Sequence, residues 1–226
     1  MLLAPMTPDP EPLQLASGAE ARVTNGLRSA TVVWLGGGRK AEEPGTWSAS
    51  NEWLVHRLAP RFPDVGFVEV RYRIKSWQRL ELCVEDARAA LQAAAEGGAE
   101  WILLIGFSMG GAVAASAADH PAVKTVLGLA PWLPDRLPLD ALAGRRFVVI
   151  HGAFDRNLPG IPGVSAESSR HGLERARAHA SEVQYTLIPA GLHGAALRPR
   201  WGLTPLPRAR RWAKLVGREL ERFQRS

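Results

Sequence analysis

The residues best able to do chemistry stand at three breaks in the chain. Gly106-Phe107-Ser108-Met109-Gly110 follows the apolar run Trp101–Ile105 and precedes Gly111-Ala112-Val113-Ala114-Ala115. A serine with glycine two positions to either side is the G-x-S-x-G pattern of a tight strand-to-helix turn, where larger side chains would collide with neighbouring backbone. Such a turn presents its hydroxyl at the rim of a sheet, above the positive end of the next helix. The hydroxyl becomes a nucleophile only when a base takes its proton and a carboxylate orients that base. Asp155 lies in the segment His151–Pro159 after the run Phe147–Ile150, and His193 lies in Pro189–Gly194 after Val183–Ile188. They supply acid and base in the chain order Ser, Asp, His that this turn requires. The chemistry implied is acyl transfer through a covalent intermediate.

Other residues compete for these roles. Asp135 follows the run Thr125–Leu129 and is the alternative acid, whereas Asp140 has no strand directly before it. His151 stands at a strand end next to Gly152 and reads as a structural histidine close to the site. His56, His120, His171 and His179 fall in helical patterns or at their ends, where packing or solvation accounts for them. Cys83 lies on a Leu-rich helix face and reads as a small buried hydrophobe. Acyl transfer also needs N–H donors where the carbonyl oxygen becomes negative. The Met109 amide, directly after the nucleophile, is one. Gly36-Gly37-Gly38-Arg39-Lys40 follows a strand and offers the other, with Gly38 first and Gly37 second. A plain glycine-rich turn is the alternative there, and the G-x-x-x-x-G-K-[ST] phosphate loop is absent.

These breaks need elements to position them. Apolar, β-branched or aromatic runs predict strands at Ala30–Leu35, Val65–Tyr72, Trp101–Ile105, Thr125–Leu129, Phe147–Ile150 and Val183–Ile188. Helical patterns lie between them at Asn51–Leu58, Leu80–Ala95, Gly110–Ala118, Ala166–Ala180 and Arg208–Phe223. Alternating strands and helices predict a mostly parallel sheet with helices on both faces. Ser50 is the expected cap of the helix from Asn51, Ser165 caps the helix from Ala166, and Gly97-Gly98 ends the Ala-rich helix. The first residues, 1–18, hold four prolines, Pro5, Pro8, Pro10 and Pro12, and read as an extended arm. Residues 19–226 read as one domain, with no repeat and no long linker.

The turn at Ser108, the H-G-x-x-D segment ending at Asp155 and the G-x-H-G segment at His193 resemble the serine α/β-hydrolase fold. The likeness is to its small, lid-poor members, similar to dienelactone hydrolases and carboxylesterases, and covers the chain from about Thr31 onward. It implies Ser108 as nucleophile, His193 as general base and then acid, and Asp155 as its orienting partner. Many dienelactone hydrolases have cysteine where Ser108 stands. The family's usual His-Gly pair before the second oxyanion donor is Gly36-Gly37 here, a partial match. Only Ala130–Arg146 separates two strands between which many relatives insert a lid, so no cap domain is expected and the pocket should be open.

Composition narrows what the site serves. A chain of 226 residues, 46% hydrophobic and 22% charged, suffices for one sizeable core. Its single cysteine rules out an internal disulfide, and no paired Cys/His spacing suggests zinc, so no metal or cofactor is expected. The N-terminus lacks a basic segment followed by a sustained apolar run, and no stretch approaches the roughly 20 apolar residues of a membrane span. A cytoplasmic location with no membrane partner follows as the expectation. The net charge of +6 is spread over scattered arginines with no nucleic-acid-reading motif, so no nucleic-acid partner is expected. The expected partner is a small acyl substrate. Trp77 and Trp132 are the expected pocket residues, with Gly37 and Arg39 also facing substrate and Arg73 a second candidate for an acidic group. Hydrolysis of an ester or thioester leads the functional reading. Acyl transfer, cyclisation or thioester release in biosynthesis is the alternative, and a noncatalytic binding protein is the alternative from another class.

Overall fold

The computed structural model describes residues 9–156 and 163–225. Its strands are β1 (Glu11–Gln14), β2 (Glu20–Thr24), β3 (Ala30–Leu35), β4 (Gly66–Arg71), β5 (Trp101–Phe107), β6 (Val123–Leu129), β7 (Arg146–Gly152) and β8 (Glu182–Ile188), followed by the short pair β9 (Ala196–Leu197) and β10 (Thr204–Pro205). The helices are α1 (Ala49–Leu58), α2 (Leu80–Glu96), α3 (Met109–Ser116), α4 (Ala166–Ala176) and α5 (Ala209–Phe223). Among the described residues, β1 to β8 form one eight-stranded sheet in the order β1-β2-β4-β3-β5-β6-β7-β8. Pairing is parallel from β4 through β3 to β8, and antiparallel where β1 and β2 extend the edge beside β4.

Alternation within the strands divides the core between two faces. Val33 and Leu35 of β3 join Ile102 and Leu104 of β5 beneath Cys83, Ala87 and Leu91 of α2 and the alanines of α3. Val32 and Trp34, with Leu103 and Ile105, face the other way, onto Leu54 and Leu58 of α1 and Trp212, Val216 and Leu220 of α5. Strands covered on both sides have no polar face to show, which is why their sequences are continuous apolar runs. Small residues fill α3, so that this helix lies close against β5 with Ala112, Val113, Ala114 and Ala115 all fully buried.

The structure departs from the sequence reading at the N-terminal edge. Residues 11–18, expected in an extended arm, form β1 and its turn, closed by Leu15 N donating to Ala19 O at 2.9 Å and by Gly18 at φ +86°. Pro12 is tolerated because β1 is an edge strand, where one missing N–H interrupts no interior ladder. The rest of the expected arm, residues 1–8, lies outside the described residues. The cap of α1 also differs: Ser48 accepts from Asn51 N, and Ser50 is buried inside the first turn. Ser165 caps α4 and Gly97 closes α2 as expected. Among the described residues no helix is long and apolar enough to cross a membrane, and no cluster of His, Cys, Asp or Glu is arranged to hold a metal ion.

Candidate active site

Ser108 sits between β5 and α3 with φ +55° and ψ −120°, a backbone conformation that costs energy in any residue but glycine. Three hydrogen bonds hold it there. Ser108 N donates to Leu129 O, and Gly111 N and Trp132 N both donate to Ser108 O, each at 2.9 Å. The flanking glycines are required by close approach. A Cβ on Gly106 would run into the carbonyl of Gly110, and one on Gly110 would stand 2.5 Å from Leu35 O. The strain at Ser108 is thus bought from a turn packed backbone to backbone against β3.

His193 and Asp155 are brought to the same rim by two loops tied to each other. Ala153 N donates to Ile188 O at 3.0 Å and Phe154 N to Gly191 O at 2.8 Å, joining the loop after β7 to the loop after β8. Across this junction His193 Nδ1 lies 2.6 Å from Asp155 Oδ2. Donation from Nδ1 leaves the other ring nitrogen, Nε2, free to act as a base. The His193 ring packs against Phe107, centroids 4.9 Å apart. Gly194, at φ +89°, lets the chain turn away immediately afterwards.

The carboxyl of Asp155 is fully buried. Burial alone would raise its pKa, but hydrogen bonds from His151 and His193 outweigh that and hold it below the ordinary carboxylate value. Val164 N adds a third donor at 3.1 Å, on Oδ1. His151 is itself buried, with Nε2 3.0 Å from Asp155 Oδ2. It therefore touches the acid directly, a contact the sequence signals only through the i, i+4 spacing of a strand-end histidine and the aspartate of the following turn.

Ser108 and His193 line one cavity of about 520 Å³, together with Gly37, Gly38, Trp77, Phe107, Met109, Trp132, Gly163 and Val164. Trp77 and Trp132 face each other across a centroid distance of 6.4 Å at an interplanar angle of 41°. Gly38 is packed so tightly on Met109 that a Cβ would overlap the methionine sulfur, and a Cβ on Gly37 would stand 3.4 Å from Ser108 Cβ. The glycine loop after β3 therefore lies directly beside the serine turn. No described residue lining the cavity carries a permanent charge.

Several candidates stand elsewhere. Arg39 does not line the cavity; its side chain is 67% exposed, 3.9 Å from Glu43, and its backbone bridges to Ser76. Arg73 is taken up by Asp86 and Glu85, each at 2.7 Å. Asp135 is an exposed partner of His171 and Arg175, whereas the carboxylate in contact with His193 is that of Asp155. Phe154, next to Asp155, is exposed and outside the cavity. Cys83 is buried and donates to Ile74 O, and burial pushes its thiol up to about 11.

Two supports escaped the sequence reading. Val164 and Gly163 form a cavity wall delivered by the segment leading into α4. Ser50, the expected cap, instead accepts from Ala195 N at 3.0 Å and Ala196 N at 3.3 Å and donates to Ala196 O at 3.2 Å. It anchors to α1 the chain that leaves His193, and the Glu52–Arg198 ion pair adds a second attachment two residues on.

No family model matches the chain, and no curated protein matches it by sequence. Solved structures do. An α/β serine hydrolase homologue from Coxiella burnetii superposes with a TM-score of 0.69 at 17% identity, covering 95% of this chain and 98% of that one. A sugar hydrolase from Lactococcus lactis gives 0.67 at 18% identity, with the same coverage of 95% and 98%. An esterase from Pyrococcus furiosus gives 0.66 at 14% identity, over 96% and 91% of the two chains. The protein has the α/β-hydrolase fold, and among the described residues there is no large lid.

Proposed function

We propose that this chain, an α/β-hydrolase fold with Ser108, His193 and Asp155 on its strand-terminal loops, is a serine hydrolase of carboxylic esters or thioesters. The observation carrying this reading is the 2.6 Å contact between His193 Nδ1 and Asp155 Oδ2, at the mouth of a cavity shared by His193 and Ser108. A protein that only bound ligand would gain nothing from burying a carboxylate to orient one histidine beside a strained serine.

In this reading Ser108 Oγ attacks the acyl carbon while its proton passes to His193 Nε2. The carbonyl π pair moves to oxygen, and the backbone N–H groups of Met109 and Gly38 receive the resulting oxyanion. Gly38 suits this role because the glycine loop after β3 lies beside the serine turn, with Gly38 against the Met109 side chain and Gly37 close to Ser108. The tetrahedral species collapses, the bond to the leaving alkoxide or thiolate breaks, and His193 returns its proton to that group. Water then attacks the acyl-enzyme, giving a proton to His193 and releasing the acid, and Ser108 regains its hydrogen. Asp155 stays ionised throughout and stabilises the imidazolium.

The lining of Trp77, Trp132, Phe107, Met109 and Val164 supports an uncharged, apolar acyl group. Turnover of short p-nitrophenyl esters by the purified chain, lowered about 10⁶-fold in kcat by Ser108→Ala, is the expected result. Equal turnover by the variant would sink the proposal.

A further inference from the structure

The sequence reading treated His151 as a structural histidine, but its hydrogen bonds involve it in the site. The ring is fully buried at the end of β7. Nε2 stands 2.9 Å from Val164 O and 3.0 Å from Asp155 Oδ2. Both partners are acceptors, so Nε2 carries the hydrogen. On the other side, Nδ1 is 2.7 Å from Ser169 Oγ. The Ser169 hydroxyl has two acceptors within reach, Nδ1 and, at 3.1 Å, Ala166 O; Tyr185 OH already donates to Ala166 O at 2.9 Å, and the shorter contact takes the Ser169 hydrogen to Nδ1. Donation thus runs from Ser169 through His151 to Asp155, and Asp155 Oδ2 receives His193 from the opposite direction.

We propose that His151 is a positioning residue for the acid–base pair: it fixes the Asp155 carboxylate in the orientation His193 uses and ties that orientation to the cavity wall at Val164. The proposal rests on the hydrolase reading above. Packing alone does not account for the residue. A leucine would fill similar space without needing two buried polar partners, and every polar atom placed there must be satisfied to avoid a desolvation cost. Val164 links the two, since its O accepts from His151 while its N donates to Asp155 Oδ1 at 3.1 Å.

Removing His151 takes one of three donors from the carboxylate. Asp155 then becomes more basic and less constrained. The other ionisable groups facing this network are Tyr185 on β8 and Arg170 on α4, whose guanidinium lies 5.0 Å over the Tyr185 ring. Burial raises the Tyr185 hydroxyl above its ordinary value, so it stays neutral at and below neutral pH.

The test compares His151→Leu, His151→Gln and Ser169→Ala with the parent chain. His151→Leu should lower kcat about ten- to a hundredfold with KM nearly constant, and should move the acid limb of kcat/KM to higher pH. His151→Gln places an amide N–H near the Nε2 position and should restore most of both. Ser169→Ala, which leaves all carboxylate contacts in place but frees the His151 ring, should give a smaller shift in the same direction, and it carries the test should the leucine variant not fold. In a Ser108→Ala background, the low-field proton resonance of the His193–Asp155 bond should shift when His151 is replaced by Leu, a readout that needs no turnover. A pH profile and resonance unchanged by both the Leu and the Ala substitutions would overturn the proposal. Absence of Ser108-dependent turnover in the parent would instead overturn the hydrolase reading, while the resonance still reports on His151.

Discussion

His193 Nδ1 and Asp155 Oδ2 lie 2.6 Å apart although 38 residues separate them, on loops whose backbones are bonded to each other at Ala153–Ile188 and Phe154–Gly191. The contact is therefore set by the sheet and not by the flexibility of either side chain. Asp155→Asn keeps the shape but lets the amide donate toward Nδ1, favouring the wrong tautomer of His193. Ester turnover should fall by about 10⁴ in kcat, with the fold intact by circular dichroism. A loss smaller than tenfold would remove Asp155 from the proposed mechanism.

The same carboxylate makes stability depend on pH. Its folded pKa lies below the ordinary value, so its contribution is present above the unfolded pKa of about 3.9 and is lost as pH falls through the folded value. Asparagine at 155 cannot titrate there. The gap in unfolding free energy between the parent and Asp155→Asn should narrow as the pH is lowered from about 6 to about 3. Urea titrations at several pH values measure it; a constant gap contradicts the assignment of a depressed carboxyl.

The serine turn depends on two absent side chains. Gly106→Ala puts a methyl group into the carbonyl of Gly110, where both neighbours are backbone in adjoining elements. It should destabilise the protein by about 1–3 kcal/mol, the usual cost of overpacking, and a thermal melt would register this. Activity should fall with it, because the displaced turn carries Ser108. An unchanged melting temperature would mean that the turn is looser than its contacts indicate.

Much of this arrangement could be read from the chain. Ala30–Leu35 forms a strand over the expected residues, and Asp155 and His193 follow β7 and β8 as their spacing implied. These features were legible because buried parallel strands and tight turns impose local residue choices. What was missed depends on contacts remote in sequence. Leu13 and Gln14 show no strong strand pattern, yet β1 exists because β2 offers it an edge. Ser50 looks like a cap, and only the return of the chain at Ala195 and Ala196 explains its burial. His151 acquires its partners from Val164, Ser169 and Asp155, two of them delivered by a later helix and its approach. Arg39 reads in the sequence as a candidate for an acidic substrate group, but the loop directs its side chain to solvent beside Glu43.

The tryptophan pair should govern acyl preference. Trp77 and Trp132 are both partly exposed and both line the cavity, so replacing either with alanine removes apolar contact area without emptying the main core. Each substitution should lower kcat/KM for longer aliphatic esters about ten- to a hundredfold, with a smaller effect on acetate esters. Arg39→Ala should leave both values unchanged. A larger effect from Arg39 than from the tryptophans would relocate the substrate site.

Cys83 offers a control on the nucleophile. Its thiol is buried and pushed up to about 11, so the thiolate is scarce at pH 8. Iodoacetamide should label the native protein slowly and leave turnover intact, and should label it readily in denaturant. Rapid loss of ester turnover on treating the folded protein with thiol reagents would contradict the assignment of chemistry to serine.

The most direct measurement is the site of covalent capture. Treated with a fluorophosphonate, the folded chain should gain the mass of one phosphonyl group per molecule, and peptide mapping should place it on Ser108. Labelling should disappear in Ser108→Ala and slow markedly in His193→Ala. A native chain that takes no label, or takes it at any residue other than Ser108, would contradict the central claim.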